Sequence, residues 1–118
     1  MISLEYLAGF FDGEGTLYIG VQKAKHPDNK KLYKHCTVML SQSGDKGLKL
    51  LSEISEQYGG SIYKHLDAGQ HKATKAAYKL YWNKDEAVKL VTSLEPFLKI
   101  KREEAIEVIK YLTRNDDK

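Results

Sequence analysis

Two acidic side chains, Asp12 and Glu14, lie two residues apart near the beginning of this 118-residue sequence. They follow residues 4–11, an apolar run with helical recurrence, which places both carboxylates at the C-terminal end of a predicted helix. The helix dipole disfavours negative charge at that end, so acids there cost stability unless a cation lies nearby. An ordinary helix end would need only a glycine. The pattern therefore indicates a cation site.

The same predicted helix carries Gly9 and Gly13, which lie four residues apart and hence on one face. A glycine has no side chain, so another backbone can approach this face closely. The spacing predicts that the first helix packs tightly against a second segment of protein.

The elements that must position these residues follow from apolar periodicity and turn residues. The predicted order is helix, hairpin, helix, hairpin, helix, helix, with hairpin strands over about 15–24, 32–42, 61–66 and 76–82. The first helix begins after Ser3 and ends at about Asp12. We expect one domain, 1–118, of the α+β class, with a four-stranded antiparallel sheet and helices on one face.

Helix boundaries can be predicted in more detail. Asp45 is expected to cap the second helix, and a pair of glycines at 59–60 to end it. Asn83 and Glu86 predict a capping box for the third helix. The last helix is expected to bury one stripe, which consists of Ile106, Ile109 and Leu112.

Positive charge is concentrated in the two hairpins. Residues 16–43 contain five basic residues and one acidic residue, residues 60–82 contain four and one, and the whole chain carries a net charge of +3. Solvated hairpin tips would explain this pattern as well as a polyanionic partner would. Every second residue on the sheet face without helices is predicted to be a hydrogen-bonding group: Tyr18, Gln22, Tyr33, His35, Thr37, Ser41, Tyr63 and His65.

That polar face suggests how the chain would bind a nucleic acid. An antiparallel ribbon can enter the major groove and read base edges, while lysines such as Lys23, Lys25 and Lys79 contact phosphates. A polar face is also what any solvated sheet requires. Other classes fit less well: no apolar run approaches the length of a membrane span, and Cys36 is the single cysteine. We expect a soluble intracellular protein without a signal or transmembrane segment.

Residues 7–15, Leu-Ala-Gly-Phe-Phe-Asp-Gly-Glu-Gly, resemble the signature motif of the LAGLIDADG homing endonucleases, with Glu14 where the family usually has its second Asp. Residues 94–101 are similar to the family's proline-phenylalanine-leucine turn with its basic residues. The resemblance covers roughly residues 3–112. It implies the αββαββα fold and an enzyme, a divalent-metal-dependent, site-specific double-strand DNA endonuclease that acts in intron homing.

The resemblance also implies roles for individual residues. Glu14 and the backbone oxygen of Gly13 would bind Mg²⁺ (or Mn²⁺). Gln42 would orient the attacking water, and Lys101 would offset charge at the phosphate or tune the water network. Asp12 and Lys46 would support the site without binding the metal.

Assembly follows from the number of motifs. Family members with one motif work as homodimers, so the resemblance implies a dimer contact formed by Leu7, Gly9, Phe10 and Gly13. Such a dimer would cut both strands of a long, partly palindromic site across the minor groove and leave 3′ overhangs. Two alternatives share this fold: a DNA-binding regulator that does not cleave, which Glu14 disfavours, and a maturase that binds intron RNA.

Overall fold

The computed structural model describes residues 1–23, 32–67 and 75–114, with the backbone alone for Val21, Gln22, Lys23, Leu32, Tyr33 and Leu66. These residues form α1 (Leu4–Glu14), β1 (Gly15–Lys23), β2 (Leu32–Ser43), α2 (Gly44–Tyr58), β3 (Ser61–Leu66), β4 (Ala77–Tyr81), α3 (Lys84–Leu94), a 3₁₀ turn (Glu95–Phe97) and α4 (Arg102–Thr113). This confirms the predicted order of elements. Among the helices of these ranges, none combines the length and apolar character needed to cross a bilayer.

The four described strands form one antiparallel sheet in the order β1-β2-β4-β3. Strand β2 is long enough to pair with β1 from Leu32 to Leu40 and with β4 from Met39 to Ser43. Side chains alternate across each strand, so the sheet has two distinct faces. One face bears Leu17, Val38 and Leu80 and is buried by helices. We call the opposite face, which bears Tyr18, Thr37 and Lys79, the groove face.

The helices pack on the first face and close a continuous hydrophobic core. Phe11, Leu51, Leu94 and Val108 come from four different helices, and each is at most 1% exposed. The predicted α+β fold, with helices on one side of the sheet, is thereby confirmed. The burial of Leu7, Ala8 and Phe11 on one face of α1 stabilises the packing of this helix on the core.

Helix α1 is anchored at its beginning as well as through its core face. The Oγ atom of Ser3 accepts a hydrogen bond from the Tyr6 N–H at 3.1 Å, which confirms Ser3 as the N-cap. The side-chain amide of Gln57, in α2, exchanges two hydrogen bonds of 2.8 Å with the backbone of Ile2. The helix runs through Glu14, two residues further than predicted.

Three helix details differ from the sequence predictions. Helix α2 begins after Ser43, so Asp45 lies in the first turn instead of at the cap. Asn83 caps α3 by accepting from the Glu86 N–H at 3.1 Å, but the Glu86 carboxylate accepts from the Gly60 N–H. In α4 the most buried residues are Ala105 and Val108, whereas Ile106 is 37% exposed because it points away from the sheet.

Candidate functional site

Glu14 is the last residue of α1, and its side chain is exposed. It lines a surface depression together with Phe10, Ser41 and Gln42. Gln42 lies near the end of β2, two residues before α2 begins. The structure therefore brings Glu14 and Gln42, which are 28 residues apart in sequence, to the same depression at the edge of the groove face.

Asp12 fastens the end of α1 to the segment before α4. Its carboxylate accepts three backbone N–H groups: Lys99 at 2.9 Å, Ile100 at 3.1 Å and Lys101 at 3.0 Å. Desolvation tends to raise the pKa of Asp12, but these hydrogen bonds and the nearby Lys101 charge outweigh it, so the pKa lies below its usual value. Asp12 thus binds the three backbone N–H groups that directly precede α4, whose own N-cap residue, Lys101, makes no side-chain capping hydrogen bond.

Lys101 makes the reciprocal contact with the end of α1. Its ammonium donates to the Phe11 carbonyl oxygen at 3.0 Å and to the Asp12 carbonyl oxygen at 2.8 Å. A cation at this position offsets the negative end of the helix dipole. The protein itself therefore supplies one of the cations that the acidic helix end requires. The ammonium contacts these two backbone carbonyls in the DNA-free chain. Its expected roles, to offset charge at a phosphate or to tune the water network, stay predictions.

Lys46 lies in the first turn of α2 and is exposed. It lines a neighbouring depression with Asp45 and Lys75. Ser43 borders both this depression and the one that contains Glu14. Lys46 is therefore next to the Glu14 depression and does not line it.

The residues at the end of α1 fit a divalent cation that is shared with a ligand. Within the described residues, no group of three or more His, Cys, Asp or Glu side chains could enclose a metal. Mg²⁺ is commonly held by one or two carboxylates plus substrate phosphates, and it keeps several waters. The single exposed carboxylate of Glu14 suits that mode. Lys101 contacts the carbonyls of Phe11 and Asp12. The Gly13 carbonyl, which the resemblance implies as a ligand, stays a prediction.

An exposed stripe runs along α1 towards Glu14. We call Tyr6, Gly9, Phe10 and Gly13 the α1 stripe, because positions three, four and seven apart share one helix face. Apart from the adjacent backbone of α1 and the neighbouring residues in sequence, no described atom lies within 4 Å of where a Cβ would stand on either glycine. Tyr6 is 55% exposed, and its ring lies 6.4 Å from that of Phe10. Leu7 has no exposed surface and packs in the chain's own core, which corrects its expected place in a dimer contact.

The groove face carries most of the side chains that were predicted to bind DNA. Tyr18 and Tyr63 are more than half exposed. His65 is exposed on β3, at a shift in the register with β4 between Lys64 and Leu66, so alternation along the strand does not assign its face. The half-buried members are His35, Thr37, Ser41 and Lys79. Across the sheet, Ser41 pairs with Lys79 and Lys79 pairs with Tyr63. The side chains of Gln22, Lys23 and Tyr33, and the whole of Lys25, lie outside what the structure describes.

Two aromatic pairs also lie on the groove face. The rings of Tyr18 and His35 meet edge to face with centroids 6.1 Å apart, and those of Tyr63 and Tyr81 are 5.8 Å apart. Tyr81 was not among the predicted binding residues. The alternation of Lys79 and Tyr81 along β4 is the sequence signal that could have identified it.

Several solved structures with a similar fold are homing endonucleases. The chain matches the homing endonuclease I-CvuI in complex with the I-CreI target in the presence of Mg (TM-score 0.71, 20% identity, 92% of this chain and 64% of that chain). It also matches the homing endonuclease I-TnaI (TM-score 0.70, 21% identity, 94% and 71%). A third match is the archaeal intron-encoded homing endonuclease I-Vdi141I complexed with DNA (TM-score 0.67, 22% identity, 92% and 65%). The chain thus spans just under two thirds of the I-CvuI chain.

The sequence comparison gives the family directly. Residues 7–99 match the LAGLIDADG endonuclease family, and this segment includes α1 from Leu7 onwards, the whole described sheet, α2 and α3. The chain therefore belongs to the LAGLIDADG endonuclease family. Among curated proteins, none matches the sequence.

Proposed function

We propose that this protein is a site-specific double-strand DNA endonuclease, which acts as a homodimer on a long, partly palindromic site and hydrolyses phosphodiesters with a divalent metal. The observation that carries the proposal is the position of Glu14. Its exposed carboxylate lies at the end of the α1 stripe and shares a depression with Gln42 beside the groove face. A metal-binding acid, a water-orienting amide and a base-reading surface would thus be adjacent.

Dimerisation through the α1 stripe completes the proposed site. Gly9 and Gly13 would allow two copies of α1 to approach closely around a twofold axis, as an isologous contact. The two Glu14 carboxylates would then lie near the axis, at the floor of a saddle formed by two groove faces. Carboxylates so close together are tolerable when cations lie between them and the phosphates.

The chemistry divides among the residues at the end of α1. The Glu14 carboxylate and the Gly13 carbonyl would hold Mg²⁺ or Mn²⁺. A bound divalent cation polarises a phosphate, lowers the pKa of bound water and stabilises the leaving oxygen. The Gln42 side chain would orient the attacking water. Asp12 and Lys101 hold the end of α1 in place, so we assign Lys101 a positioning role with its positive charge near the phosphate.

Binding would use the groove face of each protomer. Polar side chains such as Thr37, Ser41 and Tyr63 would contact base edges in the major groove, and lysines such as Lys79 would contact phosphates. Similar structures include complexes with DNA, which supports DNA as the partner. The basic charge of the hairpins is consistent with this assignment.

Cleavage of a randomised duplex DNA library tests the proposal. The protein is incubated with the library and Mg²⁺, and the new ends are sequenced. We expect enrichment of one long sequence with partial twofold symmetry and breaks in both strands. Specific binding without any break would favour the regulator, and selective binding of intron RNA without DNA cleavage would favour the maturase.

A further inference from the structure

The contact between Tyr18 and His35 crosses the sheet diagonally. In the β1–β2 register Tyr18 lies opposite Thr37, whereas His35 lies opposite Gly20. The two rings nevertheless meet, with an interplanar angle of 64° and centroids 6.1 Å apart. Diagonal neighbours on a sheet are within reach of aromatic side chains, but they touch only if the space between them is open. Here the residue between them is Gly20.

Gly20 is buried beneath the two rings. A Cβ at this position would lie 2.6 Å from Cε2 of Tyr18 and 2.7 Å from Nε2 of His35. Both distances are too short for a real contact, so any side chain would push the rings apart. Gly20 is not one of the positive-φ glycines of the described residues, which are Gly44, Gly59 and Gly60. The absence of a side chain at Gly20, and not its backbone conformation, is therefore what lets the two rings meet.

A glycine inside a strand has a cost that this contact must offset. Glycine loses more conformational freedom on folding than other residues and contributes no side chain to the sheet. The glycine allows the Tyr18 phenol and the His35 imidazole to contact each other on the groove face. Two polar side chains that already contact each other lose less rotamer freedom when they bind a ligand than two side chains that move separately.

We propose that Gly20 determines specificity by seating Tyr18 and His35 as one preorganised unit that reads the base edges of one or two adjacent base pairs in each DNA half-site. The proposal rests on the proposed DNA-binding function and adds a residue that touches no DNA itself. A phenol hydroxyl and an imidazole can each donate or accept a hydrogen bond, which suits the donor and acceptor pattern of the major groove. Because the two rings are in contact, a change to one ring would also alter how the other ring meets the DNA.

Gly20→Ala tests this unit directly. Nuclear Overhauser contacts between the rings of Tyr18 and His35, measured on the DNA-free protein, should be present in the wild type and lost in the variant. In a binding-and-sequencing assay, the variant should lose about tenfold in selectivity at the base pairs that His35→Ala also affects. The double variant Gly20→Ala/His35→Ala should lose no more than His35→Ala alone, because both changes disable the same unit.

Ser61→Thr is the matched control, because it adds one methyl group to the same face at the opposite edge strand, β3. It should leave the base pairs read by Tyr18 and His35 unaffected. If Gly20→Ala does not fold, the non-additivity of Tyr18→Ala and His35→Ala tests the same unit without changing the backbone position.

The outcomes separate this proposal from the one on which it rests. A wild type that selects no DNA sequence would overturn the proposed function, and the specificity role would fall with it. A selective wild type with an unchanged profile in Gly20→Ala, or with additive effects of Tyr18→Ala and His35→Ala, would overturn the role of Gly20 alone.

Discussion

At the scale of single residues, Asp12 and Lys101 link the end of α1 to the start of α4 through reciprocal contacts. The Asp12 carboxylate binds the N–H groups before α4, and the Lys101 ammonium binds the last carbonyls of α1. The two contacts together fix the direction in which α1 ends. They therefore position Glu14, two residues beyond Asp12, without touching it.

We predict that Asp12→Ala lowers the free energy of unfolding at pH 7 by about 2 kcal/mol, since a charged acceptor of three hydrogen bonds is lost. The pKa of Asp12 is lowered in the folded state, so its contribution is present above the unfolded pKa, near 3.8. It is lost as the pH falls below that value towards the folded pKa. Urea denaturation between pH 7 and pH 2.5 should show the difference between Asp12→Asn and wild type shrinking in that acidic window.

Glu53→Gln is the control for this titration, because Glu53 is an exposed acid on α2. It should change stability by less than about 0.5 kcal/mol at every pH. An Asp12→Asn difference that stayed constant from pH 7 to pH 2.5 would contradict the role of the ionised carboxylate.

Lys101→Met should reduce both stability and cleavage, because the α1 carbonyls lose their cation and the end of the helix can move. We expect a loss of about 1 kcal/mol in the free energy of unfolding. Affinity for DNA should change less than the cleavage rate. Lys99→Met is the matched control, since Lys99 contributes its backbone N–H to Asp12 and keeps it after the substitution. Equal effects of the two variants would argue against a special role for the Lys101 ammonium.

At the scale of elements, the α1 stripe is the proposed dimer contact. Gly13→Leu should dissociate the proposed dimer, because a large side chain at the helix crossing would separate the two backbones. Sedimentation equilibrium at micromolar concentration should then give a single chain of 13.4 kDa for this variant and twice that mass for the wild type. Lys89→Leu, an exposed change on α3, is the control. A wild type that stays monomeric with and without DNA would exclude the composite site.

Periodicity predicted the elements well, because burial on one face leaves a regular pattern in the sequence. The alternation along β1 and β2 placed Tyr18 and Thr37 on one face and Val38 on the other, as the structure shows. The stripe of α4 was wrong at Ile106, since helix rotation depends on packing against β1 and α3, which one helix's sequence does not record.

Contacts between distant parts of the chain were less predictable. The partners of the Asp12 carboxylate are backbone N–H groups 87 to 89 residues away, and a backbone group has no signature in the sequence. The Tyr18–His35 contact could not be predicted either, because a glycine in an alternating strand does not indicate which side chains meet above it. The position at the end of the first helix predicted Asp12 and Glu14 together as candidates, and only the family resemblance separated a metal-binding role for Glu14 from a supporting role for Asp12.

At the scale of the whole molecule, the proposed function requires that two copies of this chain build a single active site. The fold places the acidic end of α1 beside the groove face, so recognition and chemistry would meet at the middle of the DNA site. Each protomer would then contribute one half-site and one carboxylate.

The most direct test compares wild type with Glu14→Gln on one target selected from the randomised library, in Mg²⁺ and in Ca²⁺. The substitution keeps the shape of the side chain and removes its charge, so metal binding should be lost. We predict that cleavage in Mg²⁺ falls by several orders of magnitude, on the scale of losing a catalytic metal. Binding of the target in Ca²⁺ should persist, because negative charge beneath the phosphates is removed. Equal cleavage by both proteins in Mg²⁺ would contradict the central claim.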